Sequence, residues 1–258
     1  MADTIVMIHG MWVGGWVWDD YKRFFEATGY RCVAPTLRYH DAPPSGRPDP
    51  RLGTTSLLDY AEDIEKEIRA LDTPPIVMGH SMGGLLAQML ASRGLASAAV
   101  LLAPAPPAGI TALHLSTIRG FVSVFLTWGF WRKPVRQTFG EASNTALHTL
   151  PMEKQKEIYS RFVYESGRAA FEIGLPLLDR RGAAKVDATR VTCPMLVVVG
   201  ARDRMTPPSV ARKVARRYRA AATYKEFPDH THWLVGESGR PVAEYVAEWL
   251  REHVAPAV

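Results

Sequence analysis

A serine framed by glycines stands at the junction of two unlike patterns. Gly79-His80-Ser81-Met82-Gly83 follows the apolar run Ile76-Val77-Met78 and leads into Gly84-Leu85-Leu86-Ala87-Gln88-Met89-Leu90. A Gly-x-Ser-x-Gly pentapeptide therefore falls where a strand becomes a helix. A serine hydroxyl is a poor nucleophile unless it is exposed, held beside a base and placed near donors for an oxyanion. A sharp strand-turn-helix supplies the exposure and one donor, and the flanking glycines let strand and helix approach while the serine takes a strained backbone. Ser81 is the candidate nucleophile.

Acyl transfer also needs a base for the serine proton and a carboxylate to orient that base. In a doubly wound sheet such groups gather at the carboxyl ends of strands. Asp203 follows the apolar run Met195–Val199 through Gly200-Ala201-Arg202 and is the best-placed acid. Asp179 and Asp187 fall in or beside an irregular stretch, Asp229 follows the last strand, and no acid occurs between Leu101 and Thr111. Of eight histidines, only His230 and His232 follow the final strand. His232 is preferred because Trp233-Leu234-Val235 can clamp its loop, and His230 is the alternative, since spacing does not give loop geometry. The oxyanion donors are expected to be backbone amides, which need no reorganisation as charge develops. Met82 supplies one by position, and Met11, in the loop His9-Gly10-Met11-Trp12, supplies the other. His9 then braces that loop, and His80 is expected to face away from the substrate. Ordinary core or surface roles suffice for His40, His114, His148 and His253.

A sheet must bring these positions together. Apolar, β-rich runs at Thr4–Ile8, Arg31–Ala34, Ile76–Met78, Ala98–Leu102, Met195–Val199 and Thr223–Phe227 alternate with helical patterns. That alternation predicts an α/β chain, a doubly wound and mostly parallel sheet covered on both faces. Leu57, Ala61, Ile64, Ile68 and Leu71 recur at three- and four-residue steps and predict a one-sided helix before the nucleophile strand. Pro207 to Tyr218 and Pro241 to Arg251 read as two more, each with proline near its start. From Pro104 to about Asp187 the alternation lapses. The expected division is a core of residues 1–104 and 188–258 with an inserted helical cap over 105–187. Residues Pro43 to Gly53 form a separate proline- and glycine-rich loop without evident chemistry.

The cap carries Phe121, Val122, Val124, Phe125, Leu126, Trp128, Phe130 and Trp131, a run far short of the ~20 apolar residues that span a bilayer. Burial over the cleft is the favoured reading, with contact to lipid as the alternative. Trp12, Phe125, Trp128 and Trp131 are the expected substrate contacts, and the substrate is expected to carry an apolar acyl or alcohol group.

The 258 residues, 47% of them hydrophobic, can bury a substantial core without metal or disulfide staples. Cys32 and Cys193 lack metal or redox spacing and read as small buried apolar residues. Net charge is +5, and its clearest basic cluster, Arg212, Lys213, Arg216, Arg217 and Arg219, reads as a solvated helix face without a nucleic-acid motif. The opening Met1-Ala2-Asp3-Thr4-Ile5-Val6 shows no secretory signal, so a cytoplasmic location is the default. No metal, no cofactor, no nucleic-acid partner and no stable membrane insertion are expected. Monomer and homodimer both stay open.

His9-Gly10, Gly79-x-Ser81-x-Gly83, Asp203 and His232, in that order, resemble the α/β-hydrolase superfamily over essentially the whole chain. The segment from His9 to Trp18 looks like the opening loop of the branch holding small esterases, methylesterases and hydroxynitrile lyases. Lyases of that kind carry a threonine two residues after the histidine and a lysine after the catalytic histidine. Met11 and Trp233 stand there instead and argue against cyanohydrin chemistry. Dehalogenases and epoxide hydrolases of the superfamily carry aspartate at the elbow, where this chain has Ser81. The resemblance implies hydrolysis of a small-molecule carboxylic ester through an acyl-enzyme. A thioesterase, a C–C bond hydrolase of vinylogous diketones and a cofactor-free perhydrolase use the same triad. A non-catalytic small-molecule receptor is the rival from another class.

Overall fold

Short β-branched runs form the strands of this computed structural model, which describes residues 3–111, 114–218, 221–236 and 239–254. In chain order the elements are β1 (Thr4–Ile8), α1 (Asp19–Ala27), β2 (Arg31–Val33), α2 (Leu57–Arg69), β3 (Ile76–His80), α3 (Met82–Ser92) and β4 (Ala98–Leu102). Then come α4 (Leu115–Arg119), α5 (Val122–Leu126), β5 (Pro134–Val135), α6 (Phe139–Asn144), α7 (Met152–Ser160), β6 (Glu165–Ser166) and α8 (Gly167–Gly174). The chain closes with β7 (Met195–Gly200), α9 (Pro208–Arg217), β8 (Ala222–Phe227) and α10 (Arg240–His253).

The main sheet runs β2-β1-β3-β4-β7-β8, and its pairings are all parallel. Every residue of β1, β3, β4 and β7 is buried, as central strands covered on both faces must be, whereas the edge strands β2 and β8 are partly exposed. Strand order reverses between β1 and β3, which opens a crevice outside their carboxyl ends. The register Ile8↔Gly79 puts the loop after β1 beside the serine elbow after β3.

Helix α2 turns Leu57, Tyr60, Ala61, Ile64 and Ile68 inward and starts at a capping box of Ser56 and Asp59. Helix α1 buries only Tyr21 and Phe25. Between β4 and β7 the chain leaves the sheet for α4 to α8 and a two-stranded pairing of β5 with β6. The two ends of this insertion meet. Ala108 N donates to Ala184 O at 2.8 Å, and the Arg217 guanidinium donates to Ala108 O and Val186 O at 3.1 and 2.8 Å.

That clamp corrects the reading of the basic cluster as a purely solvated face. Arg217 ties α9 to the insertion and Arg212 pairs with Glu226 at 2.9 Å, while Lys213 and Arg216 stay exposed; Arg219 lies outside the described residues. Cys32 and Cys193 are half-buried rather than buried, Cys32 in the edge strand β2 and Cys193 in the bend before β7. Among the described residues no helix is long and apolar enough to cross a membrane.

Candidate active site

Ser81 joins β3 to α3 with φ 54° and ψ −117°, a combination sparsely populated by L-residues that costs on the order of 1–3 kcal/mol. Its neighbours hold it there. Ser81 N donates to Leu102 O at 3.0 Å, and Ser81 O accepts from Gly84 N and Ala105 N at 2.9 and 2.8 Å. A Cβ on Gly79 would lie 2.1 Å from Gly83 O, and one on Gly83 would lie 2.1 Å from Ile8 O, so strand and helix approach only because both positions lack side chains. Met82 opens α3, and the amides of a helix's first turn have no intrahelical acceptor.

Asp203 and His232, which lie 29 residues apart, meet at the carboxyl ends of β7 and β8. His232 Nδ1–H donates to Asp203 Oδ2 at 2.8 Å, and both side chains are buried. Asp203 Oδ1 is held separately, accepting from Met205 N and Thr206 N at 2.7 and 2.8 Å. One carboxylate thus caps its own turn and orients an imidazole. His230 takes no part in this pair: its ring packs edge-on against Phe227, with centroids 5.2 Å apart.

The loop after β1 closes on the elbow. A Cβ on Gly10 would come within 3.0 Å of Ser81 Cβ, so Met11 follows at the serine. His9 braces this loop as expected: Leu37 N–H donates to Nε2 at 3.0 Å, which leaves Nδ1–H to donate to Gly10 O at 2.8 Å. Burial first, and then the neighbouring His40, push His9 down to about 3, so the ring works as a neutral strut. Trp12 is held at φ 63°, and its carbonyl accepts from Val163 N at 2.8 Å, which ties the loop to the insertion.

His80 does not face away from the site. Its Nε2–H donates to His232 O at 2.8 Å, and the two rings lie 4.9 Å apart. Burial, and then His232, lower it to about 3. That tautomer leaves Nδ1 as a bare acceptor, which like Trp12 Nε1 has no hydrogen-bond partner among the described residues. The backbone bond to the loop after β8, far off in sequence, turns the ring toward the cavity.

A cavity of about 40 Å³ is lined by Ser81, His232, His80, Met11 and Trp12, and closed by Phe121, Gln137, Phe162, Met205 and Trp233. A second, almost wholly apolar cavity of about 50 Å³ adjoins it, sharing Met11 and Phe121 and extending to Phe125, Ile118, Ala170 and Ile173. Of the expected substrate contacts, Trp12 lines the first and Phe125 the second. Trp128 and Trp131 line neither. Trp128 is 85% exposed just before the Gly129 turn, whose left-handed φ of 72° redirects the chain, and Trp131 packs edge-on against Trp128 and Phe130 and tilted against Phe171. Phe121, first residue of the aromatic run expected over the cleft, does line it, whereas Gln137 and Phe162 carried no sequence signal.

Behind the loop lies a buried polar cluster that spacing did not reveal. Glu165 accepts from Tyr60 Oη at 2.8 Å and faces His40 Nε2 at 3.1 Å, while His40 Nδ1–H donates to Arg38 O. Both His40 and Glu165 side chains are fully buried. Burial opposes charge on His40, but the Glu165 carboxylate and the hydrogen bonds outweigh it and leave the imidazole raised. The largest open clefts are elsewhere; one of about 450 Å³ between α1 and α10 holds no nucleophile beside a base.

Residues 5–248 match the alpha/beta hydrolase family. A non-heme chloroperoxidase of Burkholderia pyrrocinia is 25% identical over 249 residues, covering 91% of this chain and 86% of that protein. A methylesterase from Arabidopsis shares the fold at TM-score 0.71 and 14% identity, over 97% of this chain and 99% of that one. A monoacylglycerol lipase of Paleococcus ferrophilus does so at 0.69 and 22%, over 97% and 94%. The sheet order, the serine elbow between β3 and α3, and a match running nearly the full length agree: the chain belongs to the alpha/beta hydrolase family.

Proposed function

We propose that the protein is a serine hydrolase that cleaves carboxylic esters of small to medium apolar substrates, with residues 105–187 acting as a cap. The observation that carries this reading is that His232, held by Asp203, lines the same cavity as a strained Ser81. Asp203 holds His232 Nδ1–H, so Nε2 is the nitrogen left to accept the serine proton. The Ser81 hydroxyl oxygen attacks the acyl carbon as His232 takes its proton, and the amides of Met11 and Met82 hold the oxyanion. His232 returns the proton to the departing alcohol. Water, deprotonated by His232, then attacks the acyl-enzyme, releases the acid and restores Ser81.

The lining supports an apolar substrate. Around Ser81 its walls are mostly apolar, with the Trp12 and His80 rings among them. The apolar neighbour suits a hydrocarbon tail. Each cavity holds only a few water-sized bodies, so a longer substrate must displace the shared Phe121. A second reading, in which hydrogen peroxide replaces water and the product is a peracid, is favoured by the likeness to the chloroperoxidase.

A panel of p-nitrophenyl and methyl esters of graded acyl length, run beside thioester and diketone substrates, tests this directly. Ester turnover that vanishes in Ser81→Ala is expected. Ester turnover that survives in Ser81→Ala, or turnover confined to diketones, contradicts it. Peracid formed in preference to acid when peroxide is added would favour the second reading.

A further inference from the structure

We propose that the outer face of the insertion, centred on Leu126 and Trp128, docks on an anionic lipid surface. Leu126 and Trp128 are 80% and 85% exposed, and Val122, Phe125 and Leu115 stand exposed on the same pair of short helices. Leu177 and Leu178, just past α8, are 95% and 66% exposed. The two groups adjoin, since the Phe125 ring tip lies 3.9 Å from where a Cβ on Gly174 would stand. Exposed apolar side chains gathered in this way mark an interaction surface rather than the scattered residues of ordinary surfaces.

Charge selects the occupant. From Pro104 to Gly140 the sequence holds no aspartate or glutamate but carries the exposed Arg119, Arg132 and Lys133, while the half-buried Arg136 is spent on Pro44 O and Tyr159 O. The Lys133 ammonium donates to the backbone carbonyl of Trp128 at 2.8 Å. Arg180 and Arg181 are exposed next to Leu178, and the intervening Asp179 is buried against Arg168 and backbone amides. The carboxylate nearest α5, Glu141, is tied up by Ser123 and Thr138, and aromatic and leucine side chains beside Arg132, Lys133, Arg180 and Arg181 match the headgroup boundary of an anionic bilayer.

Continuity with the site supports the same occupant. Phe125 belongs both to the exposed face and to the lining of the apolar cavity, which shares Met11 and Phe121 with the cavity at Ser81. A protein bound over Phe125 would seal that route, whereas a lipid phase would feed it with amphiphilic substrate. Delivery rests on the proposed hydrolase reading; docking does not.

Flotation of Ser81→Ala protein with phosphatidylcholine vesicles, with and without phosphatidylglycerol, separates the two. Binding is expected only with phosphatidylglycerol, accompanied by a blue shift of tryptophan emission. Leu126→Ser combined with Trp128→Ser is expected to weaken flotation about tenfold or more. Arg132→Glu combined with Lys133→Glu is expected to do the same through charge. In the Ser81 background of the natural sequence, the first pair should leave hydrolysis of a soluble short-chain ester unchanged. Failure to float on anionic vesicles, or equal binding to neutral ones, overturns the proposal. So does self-association in sedimentation that the serine pair abolishes while no vesicle is bound, which would make a second copy the occupant.

Discussion

Lowering the pH from about 7 to about 5 should cost this fold about 4 kcal/mol of stability, chiefly through two rings at the site. His9 and His80 are fully buried and lowered from 6.5 to about 3, in both cases mainly by burial. Above the ordinary imidazole value both states are neutral and neither ring affects stability. Below it the unfolded chain takes up a proton that the folded chain refuses, so stability falls with pH, at a slope approaching about 1.4 kcal/mol per pH unit for each ring. Integrated down to about pH 5, that is about 2 kcal/mol each. His40 offsets part of the loss. Its raised value gives a contribution complete below the ordinary imidazole range and lost only as the pH rises. Carboxylates lowered by partners, Glu141 and Glu226 among them, surrender their share only below about pH 4.5. Half-buried His148, also lowered, adds to the loss. Urea unfolding across this interval measures the slope, and His9→Gln should remove about half of it. Stability flat to within about 1 kcal/mol would mean that both rings reach solvent protons, and the argument from buried neutral imidazoles would fail.

His232→Ala should lower kcat/KM by about 10³-fold or more, and Asp203→Asn by about 10²–10⁴-fold, while His230→Ala stays within about threefold; the reverse ranking of the two histidines in ester kinetics would move the base to His230. Ile173→Trp fills the apolar cavity and should cut kcat/KM for long acyl chains at least about tenfold, sparing the shortest ester. An unchanged chain-length profile would remove that cavity from the substrate path. Glu165→Ala strands His40 Nε2 and Tyr60 Oη in the core and should destabilise by about 3–5 kcal/mol in urea unfolding. A loss under about 1 kcal/mol would show that the cluster relaxes without it.

The six strands and the order of Ser81, Asp203 and His232 were legible because each depends on residue type and short-range pattern. Asp203 and His232 follow strands, and the parallel sheet sends strand ends to one edge, so their meeting followed from topology. His80 was not legible: a carbonyl 152 residues away sets its orientation. The His40–Glu165–Tyr60 cluster was hidden in the same way, since its bonds span 125 and 105 residues. Composition announced the aromatic run from Phe121 to Trp131 but not its faces. Phe121 turns to the serine and Trp128 to solvent because two short helices and the Gly129 turn, not one long helix, carry them. Helix α1 escaped because two buried positions in one short segment make no periodicity.

The central claim is that Ser81 is a nucleophile activated by His232. Incubation with a fluorophosphonate, followed by intact-mass measurement and peptide mapping, tests it without knowledge of the substrate. One adduct per chain on Ser81 is predicted, absent from Ser81→Ala and formed far more slowly in His232→Ala. An unlabelled Ser81, or an adduct on another residue, in protein that still hydrolyses esters would contradict the account.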